Sequence, residues 1–133
     1  MTDRDETIAA RFSTEISKQI NSAATHIDIF YKGEELTFSK EELPIILGRD
    51  EDSCQIVVNT NVVSRHHCSI EVQDNQIGLS DNSTNGTFLE IGRSDSFVVK
   101  GKFYPLVGQG KIRLGAAITS DTNDIIYYRA VSK

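Results

Sequence analysis

From residue 25 onward, short runs of alternating apolar and polar residues follow one another, and this pattern most constrains the fold. Residues 26–31 alternate in this way, Lys32-Gly33 marks a turn, and residues 36–38 return, which predicts a β-hairpin. Turn-forming pairs such as Asp74-Asn75 and Asn85-Gly86 separate later runs. Short strands at this spacing predict an all-β fold, an antiparallel β-sandwich of about eleven short strands. The other predicted strands are residues 43–47, 55–58, 67–72, 76–79, 87–89, 97–99, 104–107, 111–114 and 125–131.

The N-terminal segment carries a different period. Apolar side chains recur there at every fourth position, which predicts one amphipathic helix over residues 3–24. The apolar stripe consists of Ile8, Phe12, Ile16 and Ile20. We therefore expect an N-terminal helical extension or linker, residues 1–24, and a β-sandwich domain, residues 25–133. Three roles for the helix stay open: it covers a seam of its own domain, links it to an upstream domain, or dimerises.

Charge and hydropathy argue against several classes of function. The 133 residues have a formal net charge of −5, so the chain lacks the basic surplus with which proteins displace counterions from nucleic acids. No apolar run approaches the ~18–20 residues that span a bilayer, and the acidic N-terminus does not resemble a signal peptide. We expect no nucleic-acid or membrane partner and a cytoplasmic location. Cys54 and Cys68 lack the spacing of a metal site, so we expect reduced thiols and neither metal nor cofactor.

Three polar islands lie at the ends of predicted strands. The first is Gly48-Arg49, the second is Ser-Arg-His-His at residues 64–67, and the third is Asn-Ser-Thr-Asn-Gly-Thr at residues 82–87. Together they hold two arginines, several hydroxyls and an amide, which donate hydrogen bonds and carry positive charge. These groups suit the binding of an anion on loops better than acid–base catalysis.

The order and rough spacing of these islands resemble those of the forkhead-associated (FHA) domain family. The likeness continues through Pro105-Leu106, Gly110 and residues 112–115, and it covers residues 26–131. It implies a β-sandwich whose loops at one end bind phosphothreonine peptides, a mode of recognition in which cationic side chains bind the phosphate. Two features depart from the family pattern: Lys111 stands where an acidic residue is common, and the segment 90–104 is long enough to set specificity or to form an extra hairpin.

The resemblance also implies which residues contact the ligand. Phosphothreonine brings a charge of about −1.5 to −2 and three acceptor oxygens, so it needs donors and positive charge. Arg49 and Ser64 match residues that contact the phosphate, and Arg65 is expected to contact the phosphate or the peptide backbone. Thr84 matches a residue at the rim near the phosphothreonine. Asn85 matches a residue that fixes the peptide backbone, for which an amide has both a donor and an acceptor.

Three further residues are expected to support the site without touching the ligand. Gly48 and Gly86 are expected to allow a positive φ or a close approach of backbone segments. His67 is expected to hold the loop of Ser64 in place through hydrogen bonds of its ring, and not to act as a ligand.

Catalytic and metal-binding interpretations are weaker. Ser64, His67 and Asp81 are the residue types of a catalytic triad, but nothing near them resembles a nucleophile elbow, so we do not expect an enzyme. His66, His67 and Cys68 are consecutive, and strand alternation would place His67 on the face opposite the other two, which argues against a zinc site.

The sequence therefore predicts a phosphothreonine-dependent protein–protein interaction domain. Its partner would be a threonine-phosphorylated protein or peptide, and the chain could be one module of a larger signalling protein. The alternative is a phosphate-independent scaffold or oligomerisation domain, which would use a sheet face or the N-terminal helix.

Overall fold

A computed structural model describes residues 24–120 and 123–132 of the chain. Within these residues the fold is all-β, with eleven strands in two sheets and one short 3₁₀ helix at Lys40–Glu42, which confirms the predicted sandwich. The helix predicted over residues 3–24 falls almost wholly outside the described residues. The strands are β1 (His26–Tyr31), β2 (Glu34–Ser39), β3 (Ile45–Gly48), β4 (Ile56–Val57), β5 (Cys68–Gln73), β6 (Gln76–Asp81), β7 (Thr87–Ile91), β8 (Phe97–Val99), β9 (Phe103–Pro105), β10 (Gln109–Leu114) and β11 (Ile126–Val131).

One sheet has six strands in the order β2-β1-β11-β10-β7-β8, and the other has five in the order β4-β3-β5-β6-β9. Tight turns close the hairpins β1–β2 and β5–β6. Lys32 and Gly33 have φ values of 49° and 81°, and Asp74 and Asn75 have 51° and 65°. Two consecutive left-handed residues match the right-handed twist of the flanking strands, and Asp, Asn and Gly adopt this conformation at low cost.

The expected wholly antiparallel pairing is wrong at one edge. β3 and β4 run parallel, with Leu47 opposite Ile56 and Gly48 opposite Val57. The connecting residues 49–55 return the chain to the start of β3, so that β4 runs in the same direction as β3. The N–H of Gln55 donates to the carbonyl of Ile46 at 2.9 Å, which fixes this return.

The core lies between the two sheets and consists mainly of apolar strand residues. In β1, Ile27 and Ile29 are fully buried, and in β3, Ile45 and Leu47 face them from the other sheet. Burying a side chain of this size contributes about 1.5–3 kcal/mol relative to leaving it exposed, so a one-residue slip of register would be costly.

Gly110 falls between two of the predicted strands, residues 104–107 and 111–114, but the structure places it within a strand. It lies inside β10, opposite Ile91, and a Cβ at this position would stand 2.1 Å from the carbonyl oxygen of Glu90. Glycine is needed here because two strands approach closely. Lys111 follows in the same strand, and its Nζ lies 3.7 Å from Oε2 of Glu90, its cross-strand partner. The long segment 90–104 contains the extra strand β8, which pairs with β7.

Sheet topology brings the three polar islands to one end of the sandwich. β5 is antiparallel to both β3 and β6. The end of β3, the start of β5 and the end of β6 therefore lie at the same edge of the sheet. The chain leaves or enters this edge through the β3–β4 loop (residues 49–55), the β4–β5 loop (residues 58–67) and the β6–β7 loop (residues 82–86).

Candidate functional site

The first two loops are joined by their backbones at Gly48. The N–H of Arg49 donates to the carbonyl of Ser64 at 3.0 Å, and the N–H of Asp50 donates to the carbonyl of Arg65 at 3.2 Å. A Cβ on Gly48 would lie 2.2 Å from the carbonyl oxygen of Arg65 and 2.9 Å from the nitrogen of His67. Of the two reasons expected for Gly48, the structure shows the close approach, because its φ is not positive.

Ser64 lies between its own loop and the β6–β7 loop. Its N–H donates to Nδ1 of His67 at 3.0 Å, and its Oγ accepts from the N–H of Thr84 at 3.3 Å. Since Oγ serves as an acceptor towards Thr84, its own hydroxyl hydrogen is left to donate elsewhere. This arrangement suits contact with an anionic oxygen in front of the loop.

The imidazole of His67 is fully buried and joins two of the loops. Because Nδ1 accepts the N–H of Ser64, the hydrogen of a neutral ring lies on Nε2, which donates to the carbonyl of Gly86 at 2.8 Å. Burial lowers the pKa of His67 below its ordinary value, because the charged ring would lose solvation. These contacts are those that a supporting role for His67 requires.

The argument from alternation at His66, His67 and Cys68 was wrong. β5 begins only at Cys68, so the two histidines precede the strand and do not follow its period. His67 and Cys68 are both buried, whereas His66 is exposed. Burial raises the pKa of the Cys68 thiol. In the described ranges, no group of three or more His, Cys, Asp or Glu side chains could hold a metal ion.

Asp81 organises the third loop, a role that the sequence interpretation missed. Its carboxylate accepts from Ser83 Oγ at 2.7 Å, from Thr87 Oγ1 at 2.7 Å, from the N–H of Gly101 at 2.9 Å and from the N–H of Ser83 at 3.2 Å. Burial alone would raise the pKa of Asp81, but hydrogen bonds from Ser83, Gly101 and Thr87 outweigh it and hold the pKa below its usual range. An aspartate followed two residues later by serine is a turn signal that could have found it.

The β6–β7 loop presents Thr84 and Asn85 at the surface, and both are exposed. Asn85 Nδ2 donates to the carbonyl of Val62 at 3.0 Å, which ties this loop to the β4–β5 loop. The amide oxygen of Asn85 has no partner among the described residues and can accept a hydrogen bond from a ligand. Gly86 has a φ of 87°, and its N–H donates to Ser83 Oγ at 2.7 Å, so the expected turn and positive φ are present.

The two arginines differ in their surroundings. Arg49 is exposed, and within the described part of the chain its guanidinium has no ion-pair partner. The side chain of Arg65 is 73% exposed, and its Nη2 lies 3.6 Å from Oδ2 of Asp50. Asp50 was not singled out from the sequence. A hydrogen bond from Ser53, then the N–H of Asp52 and the charges of Arg65 and His66, lower the pKa of its carboxyl.

The site has the donors of an anion-binding surface but not the relay of a hydrolase. His67 uses both ring nitrogens for backbone contacts, so it is not placed to take a proton from Ser64. Ser53, His66 and Asp50 do lie together, with Ser53 Oγ 2.6 Å from His66 Nε2. However, Asp50 approaches that same ring nitrogen at 3.4 Å, whereas a triad carboxylate binds the opposite one.

The chain belongs to the FHA domain family. A family model with this description matches residues 45–115, more than half of the chain, and the matched part contains all three islands. Among curated proteins, the comparison finds no match to the sequence. In the described residues, no helix is long and apolar enough to cross a membrane.

Solved structures share the fold. An FHA domain from an Arabidopsis thaliana hypothetical protein is 19% identical, with a TM-score of 0.61, and the match covers 85% of this chain and 92% of that one. The MEK1 FHA domain in complex with the HOP1 pThr318 peptide is 19% identical, with a TM-score of 0.60 and coverage of 78% and 95%. The FhaA FHA domain complexed with the intracellular domain of Rv3910 is 27% identical, with a TM-score of 0.51 and coverage of 78% and 98%.

Proposed function

We propose that this domain binds threonine-phosphorylated peptides of partner proteins through the three loops at one end of the sandwich. In this proposal it is an intracellular interaction module without catalytic activity. The observation that carries the proposal is the joining of the three loops on which Arg49, Ser64 and Asn85 lie. Backbone contacts, the buried ring of His67 and the bond from Asn85 to Val62 hold these loops together. The FHA domain of MEK1, which shares the fold, has been solved with a phosphothreonine peptide.

Each contact has a physical reason. Arg49 stays charged at physiological pH and offers a planar fork of N–H donors to phosphate oxygens. Ser64 contributes a hydroxyl hydrogen beside it, and Arg65 supplies a second cation. Asn85 accepts from a peptide N–H through the amide oxygen that its bond to Val62 leaves open. Thr84 lies at the rim, where it approaches the phosphothreonine.

The methyl group of phosphothreonine should give a modest preference for phosphothreonine over phosphoserine. Burying one methyl contributes about 0.8 kcal/mol, which is about fourfold in affinity. A carboxylate mimic carries less charge and fewer oxygens than the phosphate, so a peptide with aspartate in place of phosphothreonine should bind poorly.

The test is a titration with a degenerate phosphothreonine peptide library, with unphosphorylated and phosphoserine libraries as controls. A charge-assisted hydrogen bond contributes roughly 1.5–3 kcal/mol, so Arg49→Ala should weaken binding about ten- to a hundredfold. Arg93→Ala is the matched control, since Arg93 is an exposed arginine in the loop between β7 and β8.

Binding that ignores the phosphate would favour the alternative, a phosphate-independent scaffold. The N-terminal stripe of that alternative lies outside the described residues, whereas a sheet face remains open to test. Absence of binding to any library by the folded protein would contradict the proposed function.

A further inference from the structure

Asp50 stands beside the proposed phosphate site with a fixed carboxylate. Oδ2 accepts from Ser53 Oγ at 2.8 Å, and Oδ1 accepts from the N–H of Asp52 at 3.2 Å. Its own N–H and carbonyl are also engaged, with Arg65 and Cys54. The side chain of Asp50 is only 17% exposed. These contacts hold the carboxylate in one place within the β3–β4 loop.

The guanidinium of Arg65 is the more exposed member of this ion pair. It lies 3.6 Å from Asp50 Oδ2, but its side chain is 73% exposed and is not otherwise enclosed. The backbone of Arg65 is anchored, because its carbonyl accepts from the N–H of Asp50 and from Cys54 Sγ. The side chain can therefore move while its starting point stays fixed, and the fixed carboxylate determines where it rests.

We propose that Asp50 is an internal counter-ion that holds Arg65, so that a bound phosphopeptide must exchange this carboxylate for its own phosphate. This inference rests on the proposed function and goes beyond it. It assigns Asp50 as a positioning residue that acts through Arg65 and lowers affinity, whereas Arg49 meets the phosphate without such a competitor. The exchange also favours a doubly charged phosphate over a single carboxylate as the group able to displace Asp50.

The affinity test uses Asp50→Asn in the full chain. The amide keeps the shape and an acceptor oxygen but removes the charge. An exposed ion pair changes an equilibrium constant by at most about fivefold. The variant should therefore bind a phosphothreonine peptide about two- to fivefold more tightly at low salt. The gain should shrink as salt increases.

Two further variants distinguish the ion pair between Asp50 and Arg65 from the general effect of negative charge in the loop. Asp52→Asn removes the same charge from the same loop, but no ion pair joins Asp52 to Arg65 within the described residues. It should change affinity less than Asp50→Asn does. In an Arg65→Gln background, Asp50→Asn should lose most of its effect. Equal gains from both loop variants, a gain that survives without Arg65, or weaker binding by Asp50→Asn would each overturn the proposal.

A second measurement needs no ligand. The carboxyl ¹³C resonance of Asp50 is titrated with pH in the wild-type protein and in Arg65→Gln. Loss of Arg65 should raise the pKa of Asp50; an Asp50 pKa that does not move would refute the ion pair. If wild-type protein binds no phosphopeptide, the proposed function fails while this titration still decides whether Asp50 holds Arg65.

Discussion

Nε2 of His67 lies 2.8 Å from the carbonyl oxygen of Gly86, across 19 residues of sequence, while Nδ1 of the same ring accepts the N–H of Ser64. One buried side chain thus fixes the β4–β5 loop to the β6–β7 loop. Only the neutral ring can do this, because a protonated ring has a hydrogen on both nitrogens and would turn one of them against the N–H of Ser64.

Stability should therefore fall in mildly acidic solution. The folded-state pKa of His67 lies below its ordinary value of 6.5, so above that value the ring is neutral in both states and its contribution is complete. As pH falls below 6.5, the unfolded chain binds a proton that the folded chain resists. The free energy of unfolding then decreases by at most about 1.4 kcal/mol per pH unit, until the folded pKa is reached.

Urea unfolding between pH 7.5 and 5 measures this dependence in the wild type and in His67→Gln. His67→Gln should lose part of the wild-type slope, because the glutamine side chain does not bind a proton in this pH range. If His67→Gln does not fold, ring titration of the wild type by NMR replaces it, and an ordinary pKa for His67 would refute the expectation.

Gly48→Ala should damage the site although glycine has no side chain to contact a ligand. The added methyl would overlap the carbonyl oxygen of Arg65, a backbone atom that cannot rotate away. Overpacking of this kind costs about 1–3 kcal/mol, and here it displaces the loop that carries Ser64 and Arg65. We expect a lower free energy of unfolding together with weaker phosphopeptide binding, measured by urea denaturation and by titration.

The control for that experiment is Gly92→Ala. Gly92 has a φ of 59°, but a Cβ there meets nothing within 4 Å. It should lose about 1–2 kcal/mol of stability from its backbone conformation and keep wild-type affinity. Wild-type affinity in Gly48→Ala would show that the loop tolerates the displacement.

Asp81→Asn should destabilise the domain by about 2 kcal/mol or more at neutral pH. The substitution removes the charge of the carboxylate that accepts hydrogen bonds from Ser83, Thr87 and Gly101. Hydrogen bonds to a charged group contribute about 1.5–3 kcal/mol. The folded pKa of Asp81 is depressed, so the stabilisation is present above the ordinary value of 3.8 and is lost as pH falls through the folded pKa.

Urea unfolding at pH 7 and pH 3 tests this dependence. The difference in free energy of unfolding between wild type and Asp81→Asn should be smaller at pH 3. Asp95→Asn, at an exposed position in the loop before β8, should change neither value by more than about 0.5 kcal/mol. A difference that stays constant with pH would contradict a role for the charge of Asp81.

The strands were predictable because apolar and polar residues alternate in many of them, with the period of two that residues 26–31 display. The three islands could be assigned to strand ends for the same reason. Other features depend on contacts between distant residues. Asp81 receives a hydrogen bond from Gly101, 20 residues away, and the parallel return of β4 depends on bonds between Gln55 and Ile46. No local spacing encodes such contacts, so the alternation and turn signals could not reveal them.

Asn85→Ala should separate recognition of the peptide backbone from recognition of phosphate. The variant loses the bond to Val62 and the amide oxygen that we propose accepts a peptide N–H, so phosphothreonine peptide affinity should fall about tenfold, the equivalent of one or two neutral hydrogen bonds. Competition by inorganic phosphate should change less than about twofold, because phosphate needs Arg49 and Ser64 and has no peptide N–H to donate. Asn123→Ala, at an exposed amide in the connection between β10 and β11, should alter neither quantity. If the affinity for inorganic phosphate falls as much as the affinity for the peptide, Asn85 acts by shaping the loop that binds phosphate. The division of roles between Asn85 and Arg49 is then wrong.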